Sequence, residues 1–293
     1  MSAEATESLP TELPSEAVIF GCTAAMREVR AKIEIALCNA TPVLIQGESG
    51  TGKELVARFL HANSMQSGGP FVKLNCAAMT GNLLRGELFG YEQGAFPGIK
   101  ESKKGALEHA EGGTLFLDEV SEMGWELRAS LLRVLQDGHF SRVGGGEELA
   151  AQVRVICSTR SDLDMAAARF SFRQDLLSYF GEVRVRLLPL RERRADIPLL
   201  SEYLLDKLAR SYRKAAPRLS RPALQILQEW DWPGNMRELE NWIARIVVFG
   251  TEEVLGLELS RQLAVMSAIE PRHHRIAHSR SGIIKRVRRR RSD

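Results

Sequence analysis

No stretch of the 293 residues approaches the ~18 uninterrupted apolar positions needed to span a bilayer. The opening segment, MSAEATESLPTELPSE, is acidic and lacks an apolar centre, so it does not read as a secretory signal. The four cysteines (Cys22, Cys38, Cys76, Cys157) form no CxxC pair and have no metal-ligand spacing. Cys76 and Cys157 sit in apolar runs, the setting of buried thiols in a reducing compartment. No internal repeat is present. With 44% hydrophobic residues the chain is too apolar to be disordered throughout. What remains is a globular protein, expected in the cytoplasm and with no membrane partner. It is long enough for one large or two ordinary domains of about 100–200 residues each.

The net charge of +3 hides an asymmetry. Residues 271–293 hold nine Lys/Arg against one acid, a balance of +8. The first 270 residues hold 31 basic against 36 acidic residues, a balance of −5. An acidic body thus carries a basic tail.

Residues 1–16 are rich in Ser, Thr, Glu and Pro without periodicity and read as a flexible acidic leader. Apolar residues then recur at helical spacing through Met26, Val29, Ile33 and Leu37. Strands are expected at Val43–Gln46, Phe71–Asn75, Thr114–Leu117, Val153–Ser158 and Val183–Leu187. Helices are expected between them at Glu54–Asn63, Trp125–Gln136 and Phe172–Tyr179. Such alternation predicts an α/β fold, a parallel sheet covered on both faces. Beyond Pro189 only helices are expected, at Asp196–Arg213, Arg221–Trp230 and Met236–Phe249, with one more within Thr251–Ile269.

The first chemical signal is Gly47-Glu48-Ser49-Gly50-Thr51-Gly52-Lys53, between the run Val43-Leu44-Ile45 and a helical pattern. Strand, Gly-rich loop, lysine and helix together are a P-loop. Backbone N–H groups wrap phosphates, the helix N-terminus faces their charge, and Lys53 reaches the outer phosphates. Glu54 stands where most P-loops carry a Ser/Thr hydroxyl for Mg²⁺. The second signal is Thr114-Leu115-Phe116-Leu117-Asp118-Glu119, a β-run ending in two acids at the carboxyl edge of the sheet. Asp118 is the expected Mg²⁺ holder, and Glu119 the residue that polarises the attacking water. ATP and Mg²⁺ are the expected cofactors.

With the segments around them, these motifs resemble the central AAA+ domain of the sigma-54-dependent transcription activators. The resemblance is carried by GESGTGKE and by Leu74-Asn75-Cys76-Ala77, Glu87-Leu88-Phe89-Gly90, Gly94-Ala95-Phe96, Phe172-Arg173-Gln174-Asp175-Leu176, Leu190-Arg191-Glu192-Arg193 and Trp232-Pro233-Gly234-Asn235-Met236-Arg237-Glu238-Leu239. It covers roughly Ala17 to Phe249. It implies an AAA+ P-loop NTPase at 17–188, a small all-helical lid domain at 189–265, and a basic tail at 266–293. It also implies an ATPase ring, a hexamer, that remodels RNA polymerase holoenzyme carrying sigma-54. The nucleotide would be held by Gly47, Glu48, Ser49, Gly50, Thr51, Gly52, Lys53 and Glu54, with Phe20 and Gly21 lining the adenine pocket. Asn75 would hold Glu119 in an inactive pose. Thr159 would sense the γ-phosphate, Arg173 would act as a finger in the neighbouring subunit's site, and Arg237 would be the second sensor.

The chain departs from that pattern in places. The sigma-54 contact loop, GAFTGA in the family, is Gly94-Ala95-Phe96-Pro97-Gly98-Ile99 here. Proline removes a hydroxyl and an N–H and fixes φ near −65°, so the loop is expected to be stiffened or altered in partner choice. Tyr179 stands where the finger segment has a second arginine, and Arg160 follows Thr159 in place of Asn or His. Losing such an arginine costs orders of magnitude in turnover, so weak or partner-dependent hydrolysis is expected. The alternative is a nucleotide-binding regulatory subunit that forms hetero-oligomers with a complete activator. No receiver or helix-turn-helix domain is recognised, so control by a separate protein or by expression is expected. The tail reads as a non-specific phosphate-binding arm for DNA or, equally, as a solvated charged segment or sequence past a disrupted terminus.

Overall fold

The computed structural model describes residues 13–38, 41–79, 81–180 and 183–256. The first elements are helices α1 (Glu16–Phe20) and α2 (Ala24–Cys38), strand β1 (Val43–Gln46), α3 (Lys53–Ala62) and β2 (Phe71–Asn75). Next come α4 (Gly81–Phe89), α5 (Ala106–His109), β3 (Thr114–Asp118) and α6 (Trp125–Asp137). A short hairpin of β4 (His139–Phe140) and β5 (Leu149–Ala150) leads to β6 (Arg154–Thr159), α7 (Leu163–Ala168), α8 (Gln174–Tyr179) and β7 (Val183–Arg186). Three helices follow: α9 (Ile197–Tyr212), α10 (Arg221–Glu229) and α11 (Asn235–Phe249).

Five strands make one sheet in the order β2-β3-β6-β1-β7, every neighbour parallel. Parallel neighbours need crossovers, and the crossover helices cover both faces. The strand residues alternate between two cores. Val43, Ile45, Phe116, Ile156 and Val185 pack with Phe20, Met26, Ile33 and Leu60 of α1, α2 and α3. Leu44, Leu115, Leu117, Val155 and Cys157 pack with Leu84, Leu88, Leu107, Leu131 and Leu176 on the other face. The α/β sandwich expected from the sequence is therefore the observed fold. Its carboxyl edge gathers the ends of β1, β3 and β6, because these three lie side by side.

Each expected strand is present: β1 and β2 match their expected bounds, and the others shift by one residue, β3 extending to Asp118, β6 running Arg154–Thr159 and β7 ending at Arg186. Helices α1, α4, α5 and α7 and the hairpin were not anticipated. They are short, and most draw their order from packing; α4 and α5 supply Leu84, Leu88, Ala106 and Leu107 to the core. Local start signals are present at α7, where the Asp162 side chain accepts the N–H groups of Asp164 and Met165, and at α5, where Glu108 accepts from Gly105 N at 3.3 Å.

The contacts divide the chain into two units. One runs to Tyr203 and takes in Gln228–Leu239; the other is Leu204–Leu227 with the chain from Glu240 on. The boundary anticipated at 188/189 falls inside the first unit. Within the second unit, Leu204, Leu208, Ala223, Trp242, Ile243 and Ile246 are buried, and Lys207 pairs with Glu240 at 2.9 Å. Residues 1–12 of the leader, most of the helix anticipated at 251–269, and the basic tail lie outside the described residues. Among the described residues, no helix is long and apolar enough to cross a membrane.

Candidate functional site

The loop after β1 starts where backbone packs against backbone. Gly47 N–H donates to Thr159 O at 3.1 Å. A Cβ on Gly47 would lie 2.9 Å from Leu187 O and from Thr51 Oγ1, so no side chain fits. Gly52 ends the loop at φ 102°, a left-handed conformation that glycine adopts without strain. The N-terminus of α3 follows at once, with its free N–H groups facing the loop. Lys53 is 7% exposed. Its Nζ donates to Gly47 O at 2.9 Å and Glu48 O at 3.2 Å, and lies 3.5 Å from Glu119 Oε1.

Two acids stand at the neighbouring strand end. Ser158, fully buried on β6, donates its hydroxyl to Asp118 Oδ1. The same hydroxyl accepts from Glu119 N at 3.4 Å. Glu119 sits at φ 57°, ψ 53°, in the left-handed region that non-glycine residues seldom occupy. That turn aims its carboxylate at Lys53 and at Arg160 N, which donates to Oε2 at 3.0 Å. Thr159 is fully buried; its hydroxyl donates to Ser121 Oγ at 3.0 Å and accepts from Ser161 N at 3.0 Å. The Cys76 thiol nearby is pushed up to about 12, by burial first and then by Asp118 and Glu119, so it is an inert thiol. Lys53, Asp118, Glu119 and Thr159 are thus brought together. Asn75 is in register with Asp118 but its Oδ1 accepts from Ala77 N at 2.9 Å, and no hydrogen bond joins it to Glu119.

Other anticipated residues are turned differently. The Glu54 carboxylate pairs with Lys73 at 2.6 Å and Arg58 at 2.8 Å, so it points into the protein body rather than at the loop. The Phe20 ring belongs to the core, edge-on to Phe59 with centroids 5.2 Å apart. Gly21, at φ 64°, lies over the Asp196 carboxylate, which accepts from Cys22 N at 2.7 Å and Thr23 N at 3.0 Å. A Cβ there would be 2.4 Å from the carboxyl carbon of Asp196.

Four residues that had no assigned role grip the loop from outside. Arg191 holds Glu48 with two hydrogen bonds of 2.9 and 2.5 Å. Asn235 donates to Glu48 Oε2 at 3.2 Å and Ser49 O at 3.0 Å, and Met236 N donates to Gly50 O at 3.0 Å. Arg193, 4% exposed, donates to Thr51 O at 3.0 Å. Arg191 lowers the Glu48 carboxyl to about 2. Arg237 reaches Ser49 Oγ at 3.3 Å. These partners lie in the LRER and WPGNMREL segments, whose Arg and Asn side chains are the available signal.

Arg173 stands at the start of α8, bound to Asp175 by hydrogen bonds of 3.0 and 2.5 Å, with its guanidinium 5.3 Å from the centroid of the exposed Trp125 ring. Tyr179 donates its hydroxyl to Leu135 O and is packed against the core. The loop of Gly94, Ala95, Phe96, Pro97 and Gly98 is tied at its base by Tyr91 and Lys103, which exchange hydrogen bonds of 2.9 and 2.8 Å. Ile99 N donates to Phe96 O at 3.1 Å, with Pro97 second and Gly98 third at φ 86°. That is the arrangement of a type II turn, in which proline and glycine suit those two places. The Phe96 ring folds back edge-on to Tyr91, centroids 5.8 Å apart. Arg142 braces the base through Glu92 at 2.9 Å and Glu108 at 2.9 and 2.7 Å.

Residues 19–186 match the sigma-54 interaction domain, and residues 191–274 match an AAA+ ATPase lid domain. The chain is 44% identical to the Nif-specific regulatory protein of Herbaspirillum seropedicae, over 78% of this chain and 42% of that protein. It is 41% identical to the transcriptional regulatory protein ZraR of Escherichia coli (strain K12), over 91% of this chain and 61% of that one. The structure of NtrX from Brucella abortus in complex with ADP superposes with a TM-score of 0.72 at 39% identity, covering 81% of this chain and 52% of that one. The chain spans about half the length of the curated relatives it matches.

Proposed function

The chain belongs to the sigma-54 interaction family of AAA+ ATPases, and from that premise we propose that it binds and hydrolyses ATP as a subunit of a ring, a hexamer, that remodels RNA polymerase holoenzyme carrying sigma-54. The observation that carries the reading is the meeting of Lys53, Asp118 and Glu119 at one edge of the sheet, beside a glycine loop and a helix N-terminus.

In this reading the loop amides and Lys53 bind the β- and γ-phosphates. Asp118 suits Mg²⁺, a cation that takes hard oxygen ligands. Ser158 occupies only Oδ1, and among the described residues no donor engages Oδ2. Bound there, Mg²⁺ would neutralise charge on the β/γ-phosphates. Glu119, held by Arg160 N and Lys53, accepts a proton from the attacking water as ATP and water become ADP and phosphate. Thr159 and Arg237 report the nucleotide state. Arg173 serves the neighbouring subunit once it leaves Asp175, and its planar charge suits a developing phosphoryl anion. The 94–98 loop meets sigma-54. The basic tail adds non-specific DNA contact, whose mark is a steep salt dependence of binding.

Turnover is weak or partner-dependent. The supporting observation is Tyr179, whose hydroxyl is committed to Leu135 O and brings no positive charge to a shared site. The same observation favours a second reading, a regulatory subunit that co-assembles with a complete activator. ATP hydrolysis and native mass of the pure chain, followed across concentration, test both. Turnover that rises steeply as rings form supports the first. Hydrolysis that stays negligible at all concentrations but is raised by Tyr179→Arg supports the second. Negligible nucleotide binding sinks both.

A further inference from the structure

A carboxylate inside a loop that wraps phosphates is an anomaly, because it repels the ligand the loop exists to bind. Glu48 is such a carboxylate. Its side chain leaves the loop and meets the fork of Arg191 at 2.9 and 2.5 Å. Asn235 completes the grip at 3.2 Å. Asn235 is itself fixed: it is fully buried, sits at φ 53°, and its Oδ1 accepts from Leu190 N at 2.8 Å. Backbone bonds reinforce the junction, with Met236 N on Gly50 O and Arg193 on Thr51 O, each at 3.0 Å. One patch of chain, Leu190–Arg193 with Asn235–Arg237, therefore holds Glu48, Ser49, Gly50 and Thr51 in turn.

Resting on the reading of this loop as the nucleotide site, we propose that Glu48, Arg191 and Asn235 form a latch that fixes the phosphate loop from outside. Arg191 is a positioning residue that cancels the Glu48 charge and does not itself bind nucleotide. A bidentate guanidinium–carboxylate pair fixes both direction and distance, and a loop shaped beforehand loses less freedom when its ligand arrives.

The groups that set the charge of this site are few. Glu48 faces Arg191 and Asn235, and its own carbonyl accepts from Lys53. Arg191 also feels Glu192 and Asp231. With Arg191 in place, the Glu48 carboxyl is lowered to about 2 and stays charged and compensated at ordinary pH. Without Arg191 it returns toward the ordinary carboxylate value of about 4.3. It is then charged and uncompensated near neutrality, and it begins to protonate as pH falls to 5.

The test is the dissociation constant of a fluorescent ATP analogue for the full chain between pH 5 and pH 8, as a ratio to wild type so that titration of the phosphates cancels. Arg191→Met is expected to weaken binding about tenfold at pH 7.5, the worth of a charged hydrogen bond. The deficit shrinks toward pH 5. Adding Glu48→Gln to Arg191→Met recovers most of the loss and removes its pH dependence. A double variant as weak as the single one, or a single-variant deficit that is flat in pH, overturns the latch. If Arg191→Met does not fold, Arg191→Lys carries the test. Its ammonium still compensates Glu48, so its deficit is smaller, and Glu48→Gln removes it. A deficit that Glu48→Gln leaves in place overturns the proposal. Wild type that binds no nucleotide, or binding untouched by Lys53→Ala, instead overturns the nucleotide-site reading beneath it.

Discussion

Two loops of the first unit, proposed above as the phosphate site and the sigma-54 contact, are held in opposite ways. The 47–52 loop is gripped from outside along its length: Gly47 by β6, Glu48 by Arg191, Ser49 and Gly50 by the start of α11, Thr51 by Arg193. The 94–98 loop is braced at its base by Tyr91, Lys103 and Arg142 and closes on itself through short-range backbone bonds, Ile99 N to Phe96 O and Gly94 N to Ile99 O.

The difference separates two physical tasks. A phosphate site works by presenting donors that are already aimed, so the loop is anchored to distant parts of the chain. A contact surface needs a firm base and a tip with room to meet a partner. Of the departures from the family pattern, Pro97 and Ile99 fall in the second loop, while Arg160 and Tyr179 lie outside both.

Substitutions in and around each loop put that contrast at risk. The largest loss is expected from Glu119→Gln, which removes the proton acceptor. ATP turnover falls about 100- to 10,000-fold while nucleotide affinity, read by fluorescence titration, is kept. Lys53→Ala weakens nucleotide binding by about 10- to 100-fold, because a charged donor to phosphate is lost from a buried position. Ser158→Ala removes the hydroxyl that donates to Asp118 Oδ1 and accepts from the Glu119 backbone N–H, and turnover falls about fivefold with little change in affinity, at about 1 kcal/mol for a lost hydrogen bond.

The effects then move to the other loop. Arg142→Ala leaves Glu108, whose side chain is 12% exposed, without its guanidinium. It lowers stability by about 1–3 kcal/mol in denaturant titration and leaves nucleotide affinity unchanged. Pro97→Thr is the mildest, costing about 0.4–1 kcal/mol through greater freedom of the unfolded chain. Its ATP turnover matches the parent chain. A Pro97→Thr variant that lost nucleotide affinity would abolish the contrast, since the two loops would then be one coupled device.

Legibility in the sequence followed how local each cause is. The strands were legible because each is a short apolar run, and the P-loop because glycines, lysine and flanking strand and helix all lie within a few residues. Side-chain direction was not legible. Glu54 turns away from the loop because Lys73, 19 positions later, meets it. Gly21 is needed because Asp196, more than 170 positions later, occupies the space a side chain would take. Phe20 is expected at an adenine pocket, and its packing on Phe59 of α3, 39 positions later, could not be read from the sequence. Arg191 and Asn235 were visible as letters of a familiar pattern, but their work depends on Glu48, which neither neighbours in sequence.

The backbone of Glu119 sets two kinds of fitness against each other. Its left-handed conformation costs of order 1–2 kcal/mol relative to an ordinary one. Glycine would sit there without strain, yet it has no carboxylate to offer water. Selection for thermal endurance and selection for turnover therefore pull this position in opposite directions. A library screened for heat resistance alone should enrich glycine at 119 and, in doing so, collect inactive proteins.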